Sequence, residues 1–205
     1  MARSEIVSAA RVELGCGNNK RPGFFGIDLA PAPGVDHVMD IERELLPFAD
    51  HSVDYIYSSH TFEHLEAPGS PCQTLREIIR VGRHAATVEI WTPSGKSDPG
   101  LLFGHRVFYT ETHWKHICYE YDGFYLGDGL GRFHWMRTQY LLYPGILETL
   151  DALKIPIEFA LTHMMNVVLE FGVFLAIDKT IHKARAPQHP IRELCYERYR
   201  VIRTL

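Results

Sequence analysis

The residues whose types and spacing could do chemistry crowd into the first third of this 205-residue chain. Arg11-Val12-Glu13-Leu14 reads as a short apolar strand that runs into the turn Gly15-Cys16-Gly17. Glycine at positions 15 and 17 permits positive φ or a close approach of backbone to ligand. The dinucleotide fingerprint G-x-G-x-x-G would place its third glycine where Lys20 stands. Glu13, two residues before the first glycine, sets a carboxylate beside the turn. A pyrophosphate is repelled there, whereas the ammonium group of an amino-acid-like ligand is attracted. The pattern points to a cofactor with an amine and no phosphate.

S-adenosylmethionine answers that description, and a series of ordered blocks supports it. Glu13-Leu-Gly-Cys-Gly17 resembles the first motif of the class I S-adenosylmethionine-dependent methyltransferases, and of their small-molecule, type 11-like members in particular. Phe24-Phe-Gly-Ile-Asp28 resembles the second strand with its terminal acid. Val38-Met-Asp40-Ile41 with Leu46-Pro-Phe48 resembles the adenine-side block. Val53 to Ser59 followed by Phe62-Glu-His-Leu65 resembles the fourth strand and its exit loop. Leu75 to Val81 and Ala86 to Pro93 resemble the next helix and the fifth strand. The resemblance implies an α/β fold: a Rossmann-like, mostly parallel seven-stranded sheet with an antiparallel edge strand and helices on both faces. It also implies site roles. Glu13, Gly15 and Gly17 would surround the methionine portion, Asp28 would bind ribose, and Asp40 and Ile41 would meet adenine. Cys16, Leu29 and Ser58 belong to the same expected cofactor site.

The candidate catalytic groups are His60, His64 and His105, since an imidazole titrates near neutral pH and can serve as a base. His60-Thr-Phe-Glu63-His64 also matches H-x-x-E-H, a zinc-protease pattern. That chemistry needs the segment on a helix with a third ligand elsewhere. Here it follows the strand Val53 to Ser58, at the carboxyl edge where open α/β sheets bind ligands. No metal is therefore expected. The expected activity is methyl transfer to an O or N atom of a small or medium-sized molecule. A cofactor-binding protein that transfers no methyl, and a zinc hydrolase through His60 and His64, are the rivals.

The elements that position these groups follow from the pattern. The link from Gly17 to Asp28 is about half the length of its dinucleotide-binding counterpart and holds Pro22-Gly23, so no full helix fits there. Gln73 to Val81 has helical spacing of Leu75, Ile78 and Ile79. Half of the aromatic residues fall between Leu101 and Gly145. The spacing predicts a helix from Thr110 to about Asp122 with Gly123 as its cap, and residues 96–145 as a substrate wall or lid. Gly145 to Leu153 reads as a short helix. Ile155 to His163 and Asn166 to Asp178 read as two apolar strands forming an antiparallel pair. Residues 1–178 form the expected methyltransferase domain. Residues 179–205 form a C-terminal extension: a polar stretch to Pro190, then an Arg-rich amphipathic helix with Ile191, Leu194, Cys195 and Ile202 inward.

A net charge of −4 with no long run of one sign gives no strong nucleic-acid signal. Apolar content of 46% fits a globular domain, and no apolar run approaches the roughly 20 residues that span a bilayer. Cys16, Cys72, Cys118 and Cys195 are far apart, as expected of reduced thiols in a cytoplasmic protein. The oligomeric state is not legible.

Overall fold

The computed structural model describes residues 7–65, 70–180 and 188–205. In chain order the strands and helices are β1 (Arg11–Leu14), β2 (Phe25–Asp28), β3 (His37–Val38), β4 (Val53–Ser59), α1 (Ser70–Val81), β5 (Gly82–Pro93), α2 (Glu111–Lys115), α3 (Asp122–Leu126), β6 (Arg132–Leu142), α4 (Ile146–Ala152), α5 (Ile157–His163), β7 (Val168–Asp178), β8 (Ile191–Glu197) and β9 (Arg200–Thr204). The strands form one sheet in the order β3-β2-β1-β4-β5-β7-β6-β8-β9. The first five strands in that order are mutually parallel, while β7 runs antiparallel to both β5 and β6. The chain leaves β1 for β2 on one side and returns to β4 on the other. That reversal opens a crevice at the carboxyl ends of β1 and β4.

The α/β class and the parallel half follow the sequence reading, and the strand count does not. Among the described residues nine strands form rather than seven, and the antiparallel β7 lies inside the sheet rather than at its edge. The helix expected over 191–205 is the hairpin β8–β9, with β8 parallel to β6. Leu194 and Cys195 are adjacent and both buried, whereas Ile191 and Ile202 are half-exposed, so no helical face exists. Tyr199, at φ +66°, makes the turn. Part of the preceding polar stretch, residues 181–187, lies outside the described residues.

Ile155 to His163 is the helix α5 instead of a strand. Pro156 precedes its first turn with extended backbone, and the buried Ile157 and Ala160 recur at helical spacing around the exposed Phe159. The partner of β7 is therefore β6, an 11-residue strand within the expected lid. Thr110 does cap a helix, with a capping box to His113. After α2 the chain continues as a π-helical turn, His116–Glu120, and breaks at Tyr121, where φ is −136°; α3 ends at Gly127 (φ +73°) rather than Gly123.

Alternation along the strands divides the sheet into two unlike faces. Val12, Leu14, Ile56, Val88, Ile90, Val173 and Leu175 join one core, to which all five helices add buried side chains. Full burial of each such side chain contributes about 1.5–3 kcal/mol. On the other face Tyr57, Trp91 and Phe174 pack with Phe24, and no described helix joins them. Three guanidinium groups lie over these rings: Arg21 over Tyr57 at 3.6 Å, Arg137 over Phe174 at 3.9 Å, and Arg198 over Trp91 at 4.4 Å. Helices on both faces were expected. The short β1–β2 link leaves no room for one of those helices.

Candidate functional site

The crevice holds a cleft of about 230 Å³ lined by Gly15, Asp28, Leu29, Met39, Asp40, Ile41, Glu42, His60, Thr61, His64 and Leu65. Its floor is the turn after β1. The backbone N–H groups of Gly15 and Cys16 both donate to the Ile27 carbonyl, at 2.8 and 3.2 Å. Gly15 sits at φ +71°, and a Cβ there would lie 1.9 Å from Thr61 Oγ1. Only glycine fits against Thr61, whose hydroxyl in turn donates to the Leu14 carbonyl at 3.3 Å.

Asp28 closes β2 beside that turn. Its Oδ2 accepts the Gly17 N–H at 2.8 Å and its Oδ1 the Ala30 N–H at 3.2 Å. A carboxylate oxygen has two lone pairs, so each retains one for a ribose hydroxyl. Leu29, 70% exposed, forms the rim. On the opposite wall Asp40 Oδ1 accepts the Glu42 N–H at 2.9 Å, which fixes the turn, and Ile41 lies beside it.

The turn's support comes from α1, to which the sequence reading gave no chemistry. Thr74 Oγ1 donates to the Ile41 carbonyl (3.1 Å), and the Leu46 N–H donates to Glu77 Oε2 (2.9 Å). Arg80 donates to the Leu46 and Phe48 carbonyls and pairs with Glu77 and Asp50. No local pattern announces this clamp, since its partners lie more than thirty residues apart.

Of the expected cofactor residues, Gly15, Asp28, Leu29, Asp40 and Ile41 line the cleft; Glu13, Cys16, Gly17 and Ser58 do not. Glu13 is buried behind it, and its Oε2 accepts the Arg21 N–H at 2.6 Å. Burial raises its pKa against that bond. Cys16 Sγ faces the Gly34 carbonyl, and burial with the nearby Asp28 and Glu13 charges pushes the thiol to about 11. Ser58 Oγ donates to the Leu14 carbonyl at 3.0 Å and ties β4 to β1. Thr61, Met39, Glu42 and Leu65 line the cleft without having been singled out. Thr61 had one signal: something must occupy the space a side chain on Gly15 would take.

His60, at φ +53°, borders the cleft with both ring nitrogens facing carboxylates. Nε2 lies 2.6 Å from Glu170 Oε2 and Nδ1 3.3 Å from Glu63 Oε1. The Glu170 and Glu63 contacts outweigh burial and raise the imidazole to about 9. Such a ring is a cation at neutral pH, whereas a base needs a free lone pair. His64 also borders the cleft, and its ring meets His105 edge to face, with centroids 4.8 Å apart.

Residues 12–88 match the family described as "Methyltransferase domain". Over those residues the chain matches a methyltransferase domain, and its fold is that of solved S-adenosylmethionine-dependent methyltransferases. Solved structures of similar fold include an S-adenosylmethionine-dependent methyltransferase from Archaeoglobus fulgidus (TM-score 0.58, 15% identity, covering 83% of this chain and 88% of that one). The YcgJ protein from Bacillus subtilis is also similar (TM-score 0.51, 14% identity, 87% and 95% covered). So is the [4+2]-cyclase SpnF (TM-score 0.50, 14% identity, 86% and 77% covered). No curated protein matches the sequence. The cleft fits S-adenosylmethionine: Asp28 keeps acceptor capacity, and Gly15 leaves backbone bare.

The expected lid gives several of its large aromatics to the core. Trp114, Trp135 and Tyr140 are buried, while the stretch from Pro99 to Phe108 runs past the cleft edge at Glu63. There Leu101, Leu102 and Phe103 are exposed, while the Arg106 and Val107 N–H groups donate to the Glu63 carbonyl. The four cysteines are free thiols, and no described helix is long and apolar enough to cross a membrane.

Proposed function

We propose that the domain transfers the methyl group of S-adenosylmethionine to an O or N atom of a small or medium-sized molecule. The observation that carries this reading is the cleft itself, where Gly15, Asp28, Asp40 and Ile41 converge at the sheet's switch point with three histidines close by. The sulfonium supplies an activated methyl when the cofactor is bound. Asp28 would hold the ribose hydroxyls, and Asp40 with Ile41 would place the adenine. The exposed Leu101, Leu102 and Phe103 would form the acceptor's apolar wall. With the cofactor held, catalysis reduces to in-line placement of the acceptor and removal of its proton where needed. His64 and His105 are the base candidates. His60, engaged by two carboxylates, would instead orient the cleft edge.

A second reading has one specific support, the likeness of fold to a cyclase. A domain of this kind could keep the cofactor pocket and rearrange a substrate without methylating it. Incubation with methyl-labelled S-adenosylmethionine and a panel of hydroxyl- and amine-bearing metabolites separates the two. Label moving into an acceptor, with S-adenosylhomocysteine formed in equal amount, supports methyl transfer. Acceptors transformed without label support the second reading.

A further inference from the structure

The H-x-x-E-H pattern fails as the sequence suggested it, because His60 turns to Glu170 and Arg198 and the segment is a single 3₁₀ turn, Phe62–His64. Its other two members find a new partner. Glu63, His64 and His105 each place one ligating atom within 4.8 Å of the others.

Two further observations give this trio direction. Glu63 is 2% exposed, yet neither carboxylate oxygen accepts a hydrogen bond among the described residues. Its ionic neighbour, His60 Nδ1, stands at 3.3 Å from Oε1 alone. Buried carboxylate oxygens without a hydrogen bond are costly. Oε2 of Glu63 has no partner of any kind among the described residues, so a ligand is needed there even with His60 beside Oε1. In both imidazoles Nδ1 faces a backbone carbonyl, Gly104 at 3.4 Å for His64 and Gly100 at 3.0 Å for His105. A carbonyl at Nδ1 takes the proton there and leaves the Nε2 lone pair free, the arrangement that orients metal-ligating histidines.

We propose that Glu63, His64 and His105 bind one divalent transition-metal ion of the zinc class. Two imidazoles and one carboxylate suit zinc and its neighbours better than calcium or magnesium, which prefer oxygen alone. Three protein ligands leave a coordination position for water or a substrate atom. Ligand atoms of a tetrahedral zinc site lie about 3.4 Å apart, so the three groups must draw together by up to roughly 1.4 Å on binding. Because His64 also lines the cofactor cleft, the ion would stand beside it. Binding of the ion does not depend on the methyl-transfer reading, but an ion held there takes up the lone pairs that would make His64 and His105 bases, so the two roles exclude each other in the same molecule.

Protein dialysed against a chelator is titrated with zinc chloride in a calorimeter, without S-adenosylmethionine, so that failure here leaves the proposed reaction standing. One ion per chain is expected, and cobalt(II) in its place should give the visible absorption of a tetrahedral site. His64→Ala and His105→Ala should each weaken zinc by at least ~10-fold, and Glu63→Gln likewise. His163→Ala, at an exposed histidine on α5, should leave the affinity unchanged. Thermal melting of each variant verifies that it is folded. Absence of saturable binding, or binding that survives both His64→Ala and His105→Ala, would overturn the proposal.

Discussion

Arg198, in the turn between β8 and β9, forms a two-pronged pair with Glu170 on β7: Nη2 donates to Oε2 at 2.6 Å and Nε to Oε1. The same guanidinium donates to the Tyr57 hydroxyl and to Ser59 Oγ, both at 3.1 Å, and lies over Trp91. One side chain from the last strands thus spans the sheet face that has no described helix and reaches the cleft edge through His60.

Removing it should be expensive. Arg198→Ala strands the Glu170 carboxylate, only 11% exposed, with the His60 ring as its remaining partner. The expected loss is about 3 kcal/mol, the lower end for a broken buried pair because Arg198 is partly solvated. Arg198→Lys should recover only part of it, since an ammonium cannot make the fork. Urea unfolding of the three proteins measures this. Equal midpoints for wild type and Arg198→Ala would show the pair to be ornamental.

Acid should act through the same pair. Burial alone would raise Glu170, but hydrogen bonds from Arg198 and His60 outweigh it and hold the carboxyl at about 2, below its usual 4.5. A depressed folded-state pKa means that the stabilisation is present above about 4.5 and is lost as pH falls towards 2. Stability measured across that window should fall in the wild type and fall less in Glu170→Gln. Parallel curves would assign acid sensitivity to other carboxylates.

The two turn glycines should respond differently to alanine. At Gly15 the new methyl collides with Thr61, so Gly15→Ala should cost more than ~2 kcal/mol and abolish cofactor binding. At Gly17 (φ +50°) nothing lies within 4 Å of the added Cβ, and only the backbone conformation is penalised, by about 1 kcal/mol. Melting curves that rank the two variants equally, or in reverse, would contradict the packing described.

His60→Asn tolerates the positive φ and removes the imidazole. Stability should drop by about 1 kcal/mol, discounted because the ring is half-exposed. Turnover per folded molecule, against the acceptor that screening yields, should change less than ~10-fold. A 10²–10⁴-fold loss at unchanged stability would restore His60 as the base.

What was legible in the sequence was what short-range pattern carries. β1, β2, α1 and β4 follow from apolar runs ended by glycine, acid or charge, and Asp28 at the end of β2 and Asp40 just past β3 stand where a cleft must form. Glu13 was placed correctly on β1, but the strand's alternation turns it behind the turn, against the Arg21 N–H. The C-terminal hairpin escaped because its Arg-rich residues are held by distant partners, Arg198 by Glu170 and Arg192 by Glu111 and Tyr140. The approach of His105 to His64 is likewise a product of tertiary folding, and no spacing encodes it.

The account rests most directly on what occupies the cleft beside Asp28. Calorimetry with S-adenosylhomocysteine and, separately, NADH tests it on the wild type and on Asp28→Ala. S-adenosylhomocysteine should bind one per chain, NADH should give no saturable heat, and Asp28→Ala should weaken the former by about 1–3 kcal/mol, or roughly 5–150-fold. Tight NADH binding with no response to S-adenosylhomocysteine, or an affinity indifferent to Asp28→Ala, would contradict it.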